Sequence, residues 1–254
     1  MIQTIFNPLN VSWGVWFITL GCAFINGLSK SGLKGIAMVT IPVLAYYYGG
    51  MTSTGILLPF LIIGDILALR YYHRSAKWQQ IKKLLPWALA GIVLAVLVGK
   101  MVNDSIFRNI IAIIVFICLA LILTFDLTGK KADLSKSKPL SIFAGLSGGF
   151  ASMIGNAAGP IFDLYLLSMR LPKINFIGTG AFFYLTLNIV KLPFHIFVWE
   201  SVTLSSLQMN FVMIPAVYMG TVVGRKIVSF IPEKAFRYFV VIVIAISAFL
   251  LLIK

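Results

Sequence analysis

The chain has 254 residues, of which 60% are hydrophobic and 11% charged, with a mean hydropathy of +0.99; a soluble domain holds roughly 45 to 50% apolar residues. That composition excludes a soluble globular protein. The formal net charge of +14 would suggest nucleic acid in a soluble chain, but most of the cations gather in short loops between apolar runs, and no extramembrane segment is long enough to bind nucleic acid.

The apolar runs are close to the ~20 residues that a tilted helix needs to cross hydrocarbon. The ~10-residue alternating segments of a membrane β-barrel are absent. The expected fold is therefore an all-α polytopic membrane protein. In chain order, the first apolar stretch covers 12–48. It has no Lys or Arg before Lys30 and no small-residue cleavage pattern, so it reads as retained and not as a signal peptide. Its middle is GLSKSGLKG at 27–35. Spans follow at 52–70, 84–99 and 105–125, then a second interrupted stretch at 140–169 containing GLSGGFASMIGNAAGP at 145–160, then spans at 176–199, 206–223 and 238–253. Cys22 and Cys118 lie in apolar segments and read as small buried hydrophobes, not as a disulfide.

Loop charge gives a topology. Arg70, Arg74, Lys77, Lys82 and Lys83 fall in 70–83; Lys130, Lys131, Lys136 and Lys138 in 126–139; Arg225, Lys226, Lys234 and Arg237 in 224–237. The positive-inside rule puts these three loops in the cytoplasm of a cell-membrane protein. The links at 49–52 and 200–205 carry no cation and are expected outside, with both termini. Lys100 and Arg108 run against the rule, since their loop must also be external. The basic loops set topology and touch anionic lipid.

A weak internal repeat is present. At one offset Gly32 falls on Gly155, Gly55 on Gly178, Phe60 on Phe183 and Asp65 on Asn188. Gly99-Lys100 further aligns with Gly224-Arg225, and Phe107-Arg108 with Phe236-Arg237, once the second half is allowed a longer loop. Each half reads as an interrupted helical hairpin plus three transmembrane helices. The expected organisation is a first repeat at 1–125, a cytoplasmic linker at 126–139 and a second repeat at 140–254. A hairpin that returns to its own side plus three spans makes an odd number of crossings, so the two repeats are inverted. Paired inverted repeats with interrupted helices are a frequent plan of secondary transporters, whose sites lie near the midplane.

The 145–160 stretch reads as a broken helix. Exposed to lipid it would leave backbone groups unsatisfied, so it belongs inside the bundle. Its glycines permit positive φ, and Pro160 suits the first turn of the next half-helix, whose free N–H groups would face an anion. The competing reading is that the small residues only let helices pack closely. Intramembrane ionisable groups are functional candidates by default. Asp65 sits within a span, and Asn188, Lys191 and His195 share one helical face. The expected anion contacts are Ser29, Lys30, Gly32, Lys34, Gly155, Asn156, Gly159, Asn188 and Lys191, with Asp65 and Asp163 as coupling groups for H⁺ or Na⁺. Asp163 could otherwise cap a helix start, and Lys191 and His195 could snorkel to the interface.

The two segments GLSKSGLKGIAMVTIP and GLSGGFASMIGNAAGP, each opening a half of similar layout, resemble the TauE/SafE family of sulfite and organosulfonate exporters. The resemblance covers essentially the whole chain and implies a membrane transporter of a small sulfur-containing anion, with export as the direction. Two departures stand out: the triple-glycine form expected in the second motif is Gly155-Asn156-Ala157-Ala158-Gly159-Pro160, and Lys34 interrupts the first glycine cluster.

Rival classes were a passive anion channel, whose basic lining would select anions, and an intramembrane serine protease. The latter rests on Gly145-Leu146-Ser147-Gly148-Gly149, a G-x-S-x-G match, with His195 as base. His73 and His195 are too far apart in sequence to suggest a metal site, and no Walker pattern occurs. No cofactor and no catalysis are expected; the partners are a small anion and lipid. A small-residue face would serve a homodimer or contact lipid equally.

Overall fold

The structure, a computed structural model, describes residues 7–98 and 137–253, with side chains described up to Ile246. The 105–125 span, Lys100, Arg108, Cys118 and most of the 126–139 linker lie outside the described residues. Among the described residues every regular element is helical. Ser12 accepts a hydrogen bond from the Val15 amide and starts α1, Trp13–Lys30. A turn containing Gly32 and Gly35, at φ 137° and 89°, then leads through a short 3₁₀ segment, Ile36–Val39, into α2, Thr40–Tyr48. Both φ values lie where a side chain would be strained. The chain continues as α3, Gly50–Tyr72, and α4, Trp78–Val98.

The second half opens with α5, Lys138–Gly155, and α6, Gly159–Ser168. It continues with α7, Lys173–Phe197, α8, Leu204–Phe230, and α9, Glu233–Ile253. Among the described residues four helices are long and apolar enough to cross a membrane: α3 with its adjoining 3₁₀ turn, α4, α7 and α8. They run further than the sequence pattern indicates. At 27 residues, α8 is about 40 Å long and carries Arg225 and Lys226 within it, so the expected 224–237 loop shrinks to the turn at Ile231 and Pro232.

Both interrupted stretches fold back on themselves. In the first, Thr19 meets the Tyr48 hydroxyl at 2.8 Å and Asn26 donates to Thr40 at 3.1 Å. In the second, Ser141 meets the Tyr165 hydroxyl at 2.9 Å. The first hairpin opens where α3 begins. The second opens at the other end of the bundle, where the basic segments collect: Asn175 donates to the Ser75 carbonyl, the Lys77 amide donates to Thr179, and Arg225 lies over the Tyr71 ring.

Glycines in the 145–149 run sit inside α5, which corrects the expectation that the whole run is a break. A Cβ on Gly149 would collide with the Ala88 carbonyl, one on Gly145 with Trp87, and one on Gly91 with the Leu146 carbonyl, so α4 and α5 touch backbone to backbone. The same holds between α1 and α8, where Gly27 meets Val217 and Gly220 meets Phe24. Close packing, worth more than the helix propensity that glycine forfeits, explains these residues. The interruption itself is confined to Asn156–Ala158, and its left-handed residue is Asn156, at φ 53°, not a glycine.

Candidate functional site

The tips of the two hairpins meet α3 and α7 in the middle of the bundle, and there the buried charges converge. Asp65 on α3 and Lys191 on α7 are wholly inaccessible. Lys30 ends α1; its ammonium stands 2.9 Å from each oxygen of Asp65, and Asn188 donates to the same carboxylate at 2.8 Å. Gly64 makes this pair possible, because a Cβ there would press on the Lys30 stem.

Lys191 closes the second break. It donates to the Ser152 carbonyl at 3.0 Å and to Asn156 Oδ1 at 2.8 Å, while Asn156 Nδ2 reaches across to the Thr54 carbonyl at 3.1 Å. Lys30 and Lys191 therefore stand at the C-terminal ends of α1 and α5, where a cation is favoured by the helix dipole. The N-terminus of α6 faces the centre: Gly159 lines it, with open space where a Cβ would lie, and Pro160 occupies the first turn as expected.

Asp163 lies a turn into α6. It does not cap the helix, since the N-cap is Ala158 with no side-chain bond; it accepts instead from the Tyr184 hydroxyl at 2.9 Å. The Tyr184 ring is shared by two ammonium groups, Lys30 at 4.7 Å and Lys34 at 5.0 Å from its centroid. Lys34 projects from the strained turn of the first hairpin and is 3% exposed. Among the described residues its ammonium has no hydrogen-bond acceptor and no ion pair.

Between these groups is a cavity of about 60 Å³. Lys30, Lys34, Lys191, Asp163, Asn156 and Asn188 provide its polar side, together with Asn26 and Ser29, and Met38, Ile41, Leu57 and Leu61 its apolar wall. Three ammonium groups stand against two carboxylates, counting Asp65 beside Lys30. By formal charge the centre has one cation in excess. A buried charge of that kind requires a counter-charge or a set of strong acceptors. An anion in the cavity supplies both.

Of the expected contacts, the structure brings together Ser29, Lys30, Lys34, Asn156, Gly159, Asn188 and Lys191, with Asp65 and Asp163. Gly32 and Gly155 do not line the cavity. Gly32 holds the turn against Val228 and Ile177, and Gly155 is the last residue of α5. Neither Lys191 nor His195 snorkels, since both are fully buried. His195 lies one turn beyond Lys191, off the cavity, with Nδ1 2.8 Å from the Ser201 hydroxyl. Ser147 donates to the Phe143 carbonyl and does not meet His195, so G-x-S-x-G forms no nucleophile–base pair here. Among the described residues no cluster of three His, Cys, Asp or Glu side chains could hold a metal.

Sequence reasoning missed Tyr184 and Asn26. A signal for Tyr184 was present: it precedes Asn188 by four residues and Lys191 by seven, which extends the polar stripe of α7 by one helical turn.

Neither a curated protein nor a solved structure matches the chain. The family description Sulfite exporter TauE/SafE matches residues 17–251, a range that contains both hairpins and every residue of the central cavity. The chain thus belongs to the TauE/SafE family and is a multi-pass membrane protein of a transporter family.

Proposed function

We propose that the protein is a secondary transporter that carries a small sulfur oxyanion or organosulfonate across the cell membrane by alternating access. The observation that carries this reading is Lys34: a buried ammonium without an acceptor among the described residues, facing a small cavity whose formal charges sum to one positive unit. The anion binds there, taking hydrogen bonds from Lys34 and from the open N-terminus of α6. The cavity has room for roughly four to six water-sized groups. Sulfite or thiosulfate fits that room, whereas sulfoacetate requires the hairpins to part.

The inverted-repeat plan gives the motion. A two-fold axis in the membrane plane brings equivalent positions face to face, and the equivalent pair Asp65 and Asn188 is in contact. Gly55 packs on the turn that follows α7 and its equivalent Gly178 packs on the end of α3, which supports the same reading. Asp65 serves as the proton-coupling group: protonation weakens its hold on Lys30 and adds a second cation to the anion site. Asp163, on the opposite wall, is the other coupling candidate. The basic end faces the cytoplasm and both termini lie outside.

The test is flux into proteoliposomes with sulfite, thiosulfate, sulfoacetate, sulfate and acetate, with and without a pH gradient. Saturable uptake of a sulfur anion that follows the gradient supports the proposal. Transport of acetate alone overturns the substrate class.

A further inference from the structure

Lys34 and Asp163 carry opposite charges and line the same cavity. Direct pairing would be the ordinary way to satisfy a buried ammonium and a buried carboxylate. The pair does not form. The ion pair at this cavity is instead Lys30–Asp65.

Tyr184 accounts for this. Its hydroxyl donates to Asp163 Oδ1 at 2.9 Å and so holds one of the two carboxylate oxygens. Its ring lies under the Lys34 ammonium, with 5.0 Å to the centroid, and also faces Lys30. A ring face attracts an ammonium through its quadrupole, yet leaves the N–H donors without a lone-pair acceptor. The charge is stabilised and the donors stay free. From this geometry we infer that Tyr184 is a positioning residue of the anion site: it tethers Asp163 away from Lys34, so that the N–H groups of Lys34 are kept for the transported anion. The inference rests on the anion-binding reading above.

The division of labour within one side chain makes it testable. Tyr184→Phe keeps the ring and removes the tether; Asp163 then turns to Lys34 and competes with the anion. Thiosulfate and sulfite binding to the purified protein is measured by calorimetry, with gel filtration to verify the fold. Tyr184→Phe should weaken affinity about tenfold. Adding Asp163→Asn to it should restore affinity, because the competitor is gone. Asp163→Asn alone also removes a negative charge from the cavity, so the gain in the Tyr184→Phe background must exceed the gain that Asp163→Asn gives in wild type; a merely structural role gives equal gains. Unchanged affinity in Tyr184→Phe, or a loss that Asp163→Asn does not repair, overturns the inference.

If the wild-type protein binds neither anion, the functional reading fails, and the tether is decided separately by thermal unfolding. Lys34→Gln and Asp163→Asn share one buried cavity and so couple already in the wild-type background; the coupling should be larger with Tyr184→Phe, where the two side chains have become direct partners. Equal coupling in both backgrounds contradicts the tether.

Discussion

At the scale of single residues, the proposed function gives Lys34 and Asp65 separate roles in the central cavity. On the proposed reading the Lys34 ammonium, which has no hydrogen-bond acceptor among the described residues, offers its donors to an anion. Replacing it with Gln should weaken sulfur-anion affinity by roughly 10- to 100-fold, the worth of a charge-assisted hydrogen bond. Calorimetry on the purified variant checks this. Asp65 is tied to Lys30 and Asn188, so Asp65→Asn strands a buried ammonium and should destabilise the protein by about 3 to 5 kcal/mol. In proteoliposomes the same variant should lose transport driven by a pH gradient while retaining anion exchange. Unchanged pH dependence would remove Asp65 as the coupling group. Most of these residues were legible in the sequence, because a carboxylate or ammonium inside an apolar span has no cheap explanation. Tyr184 was not, since a tyrosine among phenylalanines looks like core until its neighbours are known. The partners of Lys191 were equally hidden. Its helical face was legible, but the Ser152 carbonyl and Asn156 come from the other side of the bundle.

At the scale of elements, two close helix crossings brace the hairpins. α1 is set against α8 through Gly27 and Gly220, and α5 against α4 through Gly91 and Gly149. Each hairpin is thus fixed to a span from the other half of the chain. A side chain at Gly149 would strike backbone, which cannot move aside as a flexible side chain would. Gly149→Val should therefore lower stability by at least the roughly 1 to 3 kcal/mol of an overpacked core, read as a drop in apparent Tm, whereas Gly21→Ala, where nothing stands within 4 Å of the new Cβ, should be near neutral. The hairpins themselves were legible as polar, glycine-rich interruptions of apolar runs. The position of the second break was not, because a glycine-rich helix packed against a neighbour and a glycine-rich break have the same composition. Only Asn156, a residue that tolerates the left-handed region, marks the turn.

At the scale of the molecule, the two hairpins enter from opposite ends and their tips pass each other at the cavity. The sidedness assigned from loop charge predicts distinct labelling. In a variant lacking the native cysteines, Lys234→Cys should react with a membrane-impermeant maleimide only after the inner face is exposed. Leu204→Cys, beside the cation-free turn that follows α7, should react from outside in intact cells. The reverse pattern would invert the topology. This orientation is an expectation from the charge of the loops, and the helices extend through much of the sequence that those loops were expected to occupy. What sequence could not give is the meeting of Asp65 with Asn188 and of Lys30 with Tyr184, contacts between residues more than a hundred positions apart.

The central claim is that the cavity binds and carries a small sulfur anion, and its most direct test is the uptake of ³⁵S-labelled sulfite and thiosulfate into proteoliposomes as a function of concentration and of pH gradient. The account predicts saturable uptake that responds to the gradient and is sharply reduced by Lys34→Gln in protein that remains folded. Uptake that rises in proportion to concentration without saturating, or that is indifferent to Lys34→Gln, would contradict it and point to a passive pore.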